Sequence, residues 1–118
     1  MSNNIIWILV LGAIVGFTLF QNKQRQKMIS ETDFSDAVFI DVRTPQEFNG
    51  GTITDAHNFP VQTLSQRLSE LEQLTQGKES KIVVFCRSGN RSAKAKSILE
   101  GAGFSQIIDI GAITNYPK

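Results

Sequence analysis

The sequence predicts an α/β domain of three layers, a small mainly parallel sheet flanked by helices, preceded by one transmembrane helix. Three observations predict it. Residues 5–20 (IIWILVLGAIVGFTLF) carry no charge; Lys81 to Phe85 (KIVVF) is apolar and β-branched enough to be buried on both sheet faces; and strand-length apolar runs alternate with helical spacing from Val38 to Ile110. Strands separated by helices imply right-handed crossovers and a parallel sheet.

The elements follow in order. These sixteen residues, only Thr18 of them polar, give roughly 24 Å of helix at about 1.5 Å per residue, slightly short of the ~30 Å bilayer core, with Trp7 near one end as interface aromatics lie. No Lys or Arg precedes the run, and Phe20-Gln21-Asn22 is not a small-residue cleavage pattern, so it reads as an uncleaved anchor. The segments are a transmembrane anchor over 1–21, a basic juxtamembrane linker over 22–27 and a soluble domain over 28–118. The linker has no apolar side chain, Pro or Gly and suits either a helical stalk or a flexible tether. Lys23, Arg25 and Lys27 hold that flank in the cytoplasm, with the N-terminus outside; a periplasmic or secreted domain is the alternative if the run is cleaved.

Ser30 to Asp33 resembles a cap and acidic first turn, predicting a short helix ending near Ala37. Val38-Phe39-Ile40 is a buried strand leading to Asp41. Thr44-Pro45-Gln46-Glu47 is a capping box with Pro at the first helical position, and Gly50-Gly51 stops that helix. His57-Asn58-Phe59 is a short strand because Pro60 cannot donate to a ladder. Leu64, Leu68, Leu71 and Leu74 mark one helix face, ended by Gly77. After KIVVF, Ala95, Ile98, Leu99 and Ala102 place a helix closed by Gly101 or Gly103, and Gln106 to Ile110 is the last strand.

Composition narrows the function. At 118 residues, 41% hydrophobic and 19% charged, the chain holds one small domain, and a net charge of +1 is too balanced to make nucleic acid the partner. A single cysteine, Cys86, excludes an internal disulfide, a CxxC redox pair and a cysteine-rich zinc site. Neither metal nor cofactor is called for. The one histidine, His57, reads as a solvated or packing residue.

Cys86 directly follows the buried strand and precedes Arg87-Ser88-Gly89-Asn90-Arg91-Ser92 and a helix. Open α/β sheets bind ligands at that carboxyl edge, and helix-end N–H groups favour an anion and a thiolate. Gly89 permits a tight curl whose amides point at the sulfur, and Arg87 and Arg91 add donors for a tetrahedral oxyanion. From Met28 on there are nine Lys+Arg against eleven acids, yet Arg87, Arg91, Lys94 and Lys96 fall within ten residues without an acid. Lys94 and Lys96 read as solvated residues of the helix.

These residues resemble the rhodanese family of sulfurtransferases over 28–118. Asp41-Val42-Arg43-Thr44-Pro45-Gln46-Glu47-Phe48 is similar to the family's DVRxxxEF segment, and Cys86 to Ser92 is similar to its CRxGxRS loop. Asn58-Phe59-Pro60 is similar to its NIP segment, and Gly111-Ala112 with Tyr116 to its glycine pair and later aromatic. Thr52 and Asp55 stand where the family often has His and Gly, and Ala112 replaces a Gly. The resemblance implies a thiosulfate sulfurtransferase working by ping-pong transfer. Cys86 would be the nucleophile; Arg87, Ser88, Gly89, Asn90, Arg91 and Ser92 would form the sulfur cradle; Asp41, Arg43 and Glu47 would support it. The implied partners are thiosulfate or another anionic sulfur donor, a thiophilic acceptor such as cyanide or a protein thiol, and a membrane through residues 5–20. Cysteine phosphatases need five residues between Cys and Arg; here Arg91 is the fifth residue after Cys86 and Ser92 the sixth, so the loop suits a single sulfur atom. A membrane-tethered persulfide relay fed by a protein, and a non-catalytic anion- or protein-binding module, are the other readings.

Overall fold

A run as apolar as KIVVFC is stable only between neighbours, and in the computed structural model, which describes residues 2–117, it is an inner strand. Met1 and Lys118, the outer ends of the expected anchor and domain, lie outside the described residues. Two compact units result, residues 1–32 and 33–118.

The first unit is one helix, α1 (Ser2–Glu31), about 45 Å long at 1.5 Å per residue. From Ile5 to Phe20 its apolar side chains are exposed, Trp7 at 65% and Ile8 at 68%, while Ile29 near its end is buried, and its stretch from Ile5 is long and apolar enough to cross a membrane. An N-terminal signal sequence meets the same description. The linker takes the helical alternative. The short helix expected from Ser30 does not form: α1 runs through to Glu31, and Ser35-Asp36 is a turn before the first strand. Cap residues and back-bonding residues look alike in sequence. Here the Ser30 hydroxyl donates to the Lys27 carbonyl at 2.8 Å and that of Thr32 to the Met28 carbonyl at 2.6 Å, both inside the preceding turn. Asp33 instead accepts the Ser35 amide at 2.9 Å, a local turn.

The second unit has four parallel strands, β1 (Val38–Asp41), β2 (His57–Asn58), β3 (Lys81–Cys86) and β4 (Gln106–Ala112), in the order β2-β1-β3-β4. Helices α2 (Pro45–Asn49), α3 (Leu68–Thr75) and α4 (Asn90–Gly101) connect them. This is the expected α/β fold. Ile82, Val84 and Cys86 face a core with Ile40, Leu64, Leu71, Ala95, Leu99 and Phe104. Val83 and Phe85, also fully buried, alternate to the opposite face, where Phe39 is paired in register with Val83. The Phe39 ring meets Tyr116 edge-on at 5.2 Å, and Phe34 meets both.

Three details differ from the expected elements. The leucine-marked helix begins as a 3₁₀ turn at Leu64–Gln66 and restarts at Leu68, leaving Leu74 37% exposed. Gln76, not Gly77 alone, takes the left-handed cap (φ 66°) of α3. Strand β4 runs two residues further than Ile110, because a bulge lets Val84 oppose Asp109 and Phe85 oppose Gly111. Ile110 is the additional residue, Gly111 turns at φ 74°, and its amide binds the Asp109 carboxylate at 2.8 Å. The bulge lets Ala112 pair with Cys86, so the chain leaves β4 beside the cysteine.

Candidate active site

The carboxyl edge of this sheet gathers Asp41, Cys86 and Ala112 at the ends of their strands. Cys86 is buried, and α4 starts four residues later, so the intervening loop must turn back sharply. Gly89 makes that turn at φ 100°, a conformation costly for any residue with a Cβ. Its amide then donates to Cys86 Sγ at 2.9 Å, and the Ser92 amide, in the first turn of α4, donates at 3.4 Å. The Ser92 hydroxyl, fully buried, donates to the Gly89 carbonyl at 3.1 Å and closes the curl.

Two opposing effects act on the thiol. Burial pushes its pKa up, while the Ser92 side chain beside it and hydrogen bonds from the amides of Ser92, Gly89 and Ser88 push it down further; the result lies below the ordinary thiol value. The thiolate is therefore favoured by directed donors.

Arg87 and Arg91, two arginines of one loop, have different surroundings. Arg91 Nη1 and Nη2 lie 2.7 and 3.0 Å from the Glu47 carboxylate, a bidentate pair joining α4 to α2. The pair holds the Glu47 carboxyl at about 2, well below 4.5, by the Arg91 hydrogen bonds first, against burial and with help from Thr44. Glu47 also completes the expected capping box, its Oε1 accepting from the Thr44 amide at 3.2 Å and the Thr44 hydroxyl capping the Glu47 amide at 3.2 Å. Arg87 is exposed and has no hydrogen-bond or ion-pair partner among the described residues. It lines an open depression of about 400 Å³ together with Arg43, Gln46, Gly50 and Ile113. The cation free to meet an incoming anion is thus Arg87; Arg91, expected to share that task, is committed to Glu47.

Asp41 and Arg43 form a buried pair beneath the site. Arg43 Nε is 2.9 Å from Asp41 Oδ1 and Nη2 is 2.7 Å from Oδ2, while Nη2 also donates to the Gly51 carbonyl at 2.6 Å. The Asp41 hydrogen bonds hold the Arg43 pKa above its ordinary value. Thr52 donates to Asp41 Oδ2 at 2.9 Å, and Asn58 Nδ2 donates to the carbonyls of Asp41 and Arg43, both at 3.0 Å. The resemblance marked Asn58 in the NIP-like segment and Thr52 as a departure, but neither pointed to this network, because each works through a partner more than ten residues away. His57 is exposed on β2 and outside it. Asn90 and Lys94 are exposed on α4, and Lys96 is half-buried there.

The chain matches the Rhodanese-like domain family over residues 22–112. It belongs to the rhodanese-like family. Among relatives of this rhodanese-like chain is a sulfurtransferase of Allochromatium vinosum, 33% identical over 78 residues, 66% of this chain and 68% of the relative. A tRNA uridine(34) hydroxylase of Enterobacter sp. is 33% identical over 88 residues, 73% of this chain, but the rhodanese-like chain spans 25% of that enzyme's length. Among solved structures, a rhodanese with anions from E. coli superposes with a TM-score of 0.61 at 25% identity, covering 69% of this chain and 94% of that one. Sulfur transfer by a rhodanese-like fold is the function that the family match and the sulfurtransferase relative support.

Proposed function

We propose that the protein transfers a sulfane sulfur from an anionic donor such as thiosulfate to a nucleophilic acceptor through a persulfide on Cys86, and that α1 anchors it to a membrane. The observation that carries this reading is the cradle: Cys86 Sγ accepts the Gly89 and Ser92 amides at a helix N-terminus, with Arg87, the next residue, exposed and without a partner among the described residues. In the first step the thiolate attacks the outer sulfur of thiosulfate. The S–S bond of the donor breaks, its electron pair leaves with sulfite, and a new S–S bond holds the transferred sulfur on Cys86. The amides that favour thiolate then favour the persulfide anion, and Arg87 offsets the repulsion between the attacking and incoming anions. An acceptor such as cyanide takes the outer sulfur in the second step and returns the thiolate. Asp41, Arg43 and Glu47 act as positioning residues, Glu47 by fixing Arg91 and with it the first turn of α4.

The deciding experiment charges the detergent-solubilised chain with thiosulfate and reads the intact mass before and after cyanide. We expect a gain of one sulfur atom, released as thiocyanate and absent in Cys86→Ser. A folded protein with an alkylatable thiol that gains no sulfur from thiosulfate sinks the small-donor reading. The exposed apolar length of α1 favours one second reading, a membrane-tethered relay charged by a protein partner. In either case the basic flank Lys23, Arg25 and Lys27 supports a cytoplasmic orientation for the domain by the positive-inside bias. An activity reporter fused after Lys118 that works only outside the cytoplasm overturns that orientation.

A further inference from the structure

The depression that holds Arg87 is lined by three stretches of chain: residues between Arg43 and Gly51, Arg87 itself, and Ile113 with Thr114. The first is fixed by the Asp41–Arg43 pair, by the bond from Arg43 to the Gly51 carbonyl and by the Glu47–Arg91 pair. The third follows the bulge of β4. Ile110 is fully buried and, as the additional residue of the bulge, has no register partner on β3. A buried carbonyl needs a donor, and Asn115 Nδ2 donates to that of Ile110 at 2.8 Å. At the start of the bulge the Asp109 carboxylate accepts the Gly111 amide at 2.8 Å, a local turn that holds the glycine at φ 74°. Between these two bonds the chain runs Ala112-Ile113-Thr114: Ala112 pairs with Cys86, and Ile113 opens a 3₁₀ turn that ends at Asn115.

The two side chains form a clasp, with one bond at each end of the segment that walls the depression. We infer that Asp109 and Asn115 are positioning residues, which hold Ile113 and Thr114 beside Arg87 and so set how tightly an anionic sulfur donor is held there. They act apart from the cradle, whose bonds to Cys86 Sγ come from Gly89 and Ser92. A wall held in place limits the water around Arg87, and the lower local dielectric strengthens its attraction for an anion. A wall free to move admits water and weakens that attraction. The resemblance marks Gly111, Ala112 and Tyr116 in this stretch and passes over the two residues that hold it. The inference rests on the persulfide reading above for the identity of the donor, and names two further residues that control the same site.

The test compares the detergent-solubilised chain with its Asp109→Ala, Asn115→Ala and Asp109→Asn variants. Asparagine keeps an oxygen for the Gly111 amide, so Asp109→Asn is the conservative rescue. Asn115 lies beyond the last strand, so its variant carries the test should Asp109→Ala fail to fold. Charging of Cys86 by thiosulfate, followed by intact mass, gives a half-saturating concentration and a plateau rate. Alkylation by iodoacetate, an anion, is compared with alkylation by neutral iodoacetamide, each rate divided by that of N-acetylcysteine. Both alanine variants are expected to raise the half-saturating concentration by about threefold or more, the size of one lost hydrogen bond. The plateau rate and the pH midpoint of iodoacetamide alkylation stay as in the wild type. The iodoacetate-to-iodoacetamide ratio falls by a similar factor, and Asp109→Asn behaves as the wild type. Wild-type values in both alanine variants overturn the inference; so does a plateau rate lost together with a shifted midpoint, which marks damage to the cradle itself. A half-saturating concentration lowered equally by Asp109→Ala and Asp109→Asn also overturns it, because the carboxylate then acts by its charge. A wild-type chain that thiosulfate does not charge removes the donor reading alone, and the alkylation ratio, which needs no sulfur transfer, then decides the clasp.

Discussion

Cys86 is surrounded by protein and yet its thiol pKa is lowered, because what surrounds its sulfur is a set of aimed donors. Ser92 contributes twice, through its amide and through the hydroxyl that ties down the Gly89 carbonyl. Ser92→Ala is expected to raise the pH midpoint of Cys86 alkylation, since it removes the largest of the effects that lower the thiol pKa and leaves burial unopposed by it. An unchanged midpoint in a folded variant contradicts the cradle argument. The cysteine, Gly89 and the helix behind them were legible in sequence because they are contiguous. Chemistry written within seven residues can be read by spacing. The fates of Arg87 and Arg91 were not, because a sequence does not say which of two arginines has a carboxylate opposite it.

Helix α2 has five residues, too few to persist alone, and Glu47 secures it in two ways. Its N-terminus is closed by the Thr44–Glu47 capping box, a local signal that the sequence displays openly. Its outward carboxylate is spent on Arg91, 44 residues away, a link that only the folded topology creates. Because the Glu47 pKa falls from 4.5 to about 2 on folding, the stability from this pair is fully present above pH 4.5 and is lost as the pH drops towards 2. Glu47→Gln is expected to flatten the loss of melting temperature across that acid window and, with Arg91→Gln, to give a coupling of about 1 kcal/mol in a double-mutant cycle. Additive effects of the two substitutions refute the link. Two other elements escaped sequence reasoning for stated reasons. The turn at Ser30 to Ala37 read as a helix because hydroxyls that cap and hydroxyls that back-bond occupy the same residue types. The bulge at Ile110 was hidden because one additional apolar residue in an apolar strand leaves no mark on periodicity.

At the scale of the whole molecule, two units of opposite surface character share one chain. One presents Ile, Leu, Val and Phe outwards along α1; the other buries them around a parallel sheet. The sequence holds one tryptophan and one tyrosine, and they fall in different units: Trp7 exposed on α1, Tyr116 stacked edge-on with Phe34 and Phe39. Indole can be excited alone at the red edge of the aromatic band and emits to the red of phenol, so Trp7 is a native optical label for the first unit. On reconstitution into lipid vesicles, Trp7 emission is expected to shift to the blue and to be quenched by brominated acyl chains; an unshifted, unquenched band contradicts insertion. Denaturant titration of the same sample, followed through the tyrosine's near-ultraviolet dichroism, reports the unfolding of the catalytic unit while the indole stays in lipid. In that experiment any insertion of α1 and the folding of the second unit are followed separately in one unlabelled chain.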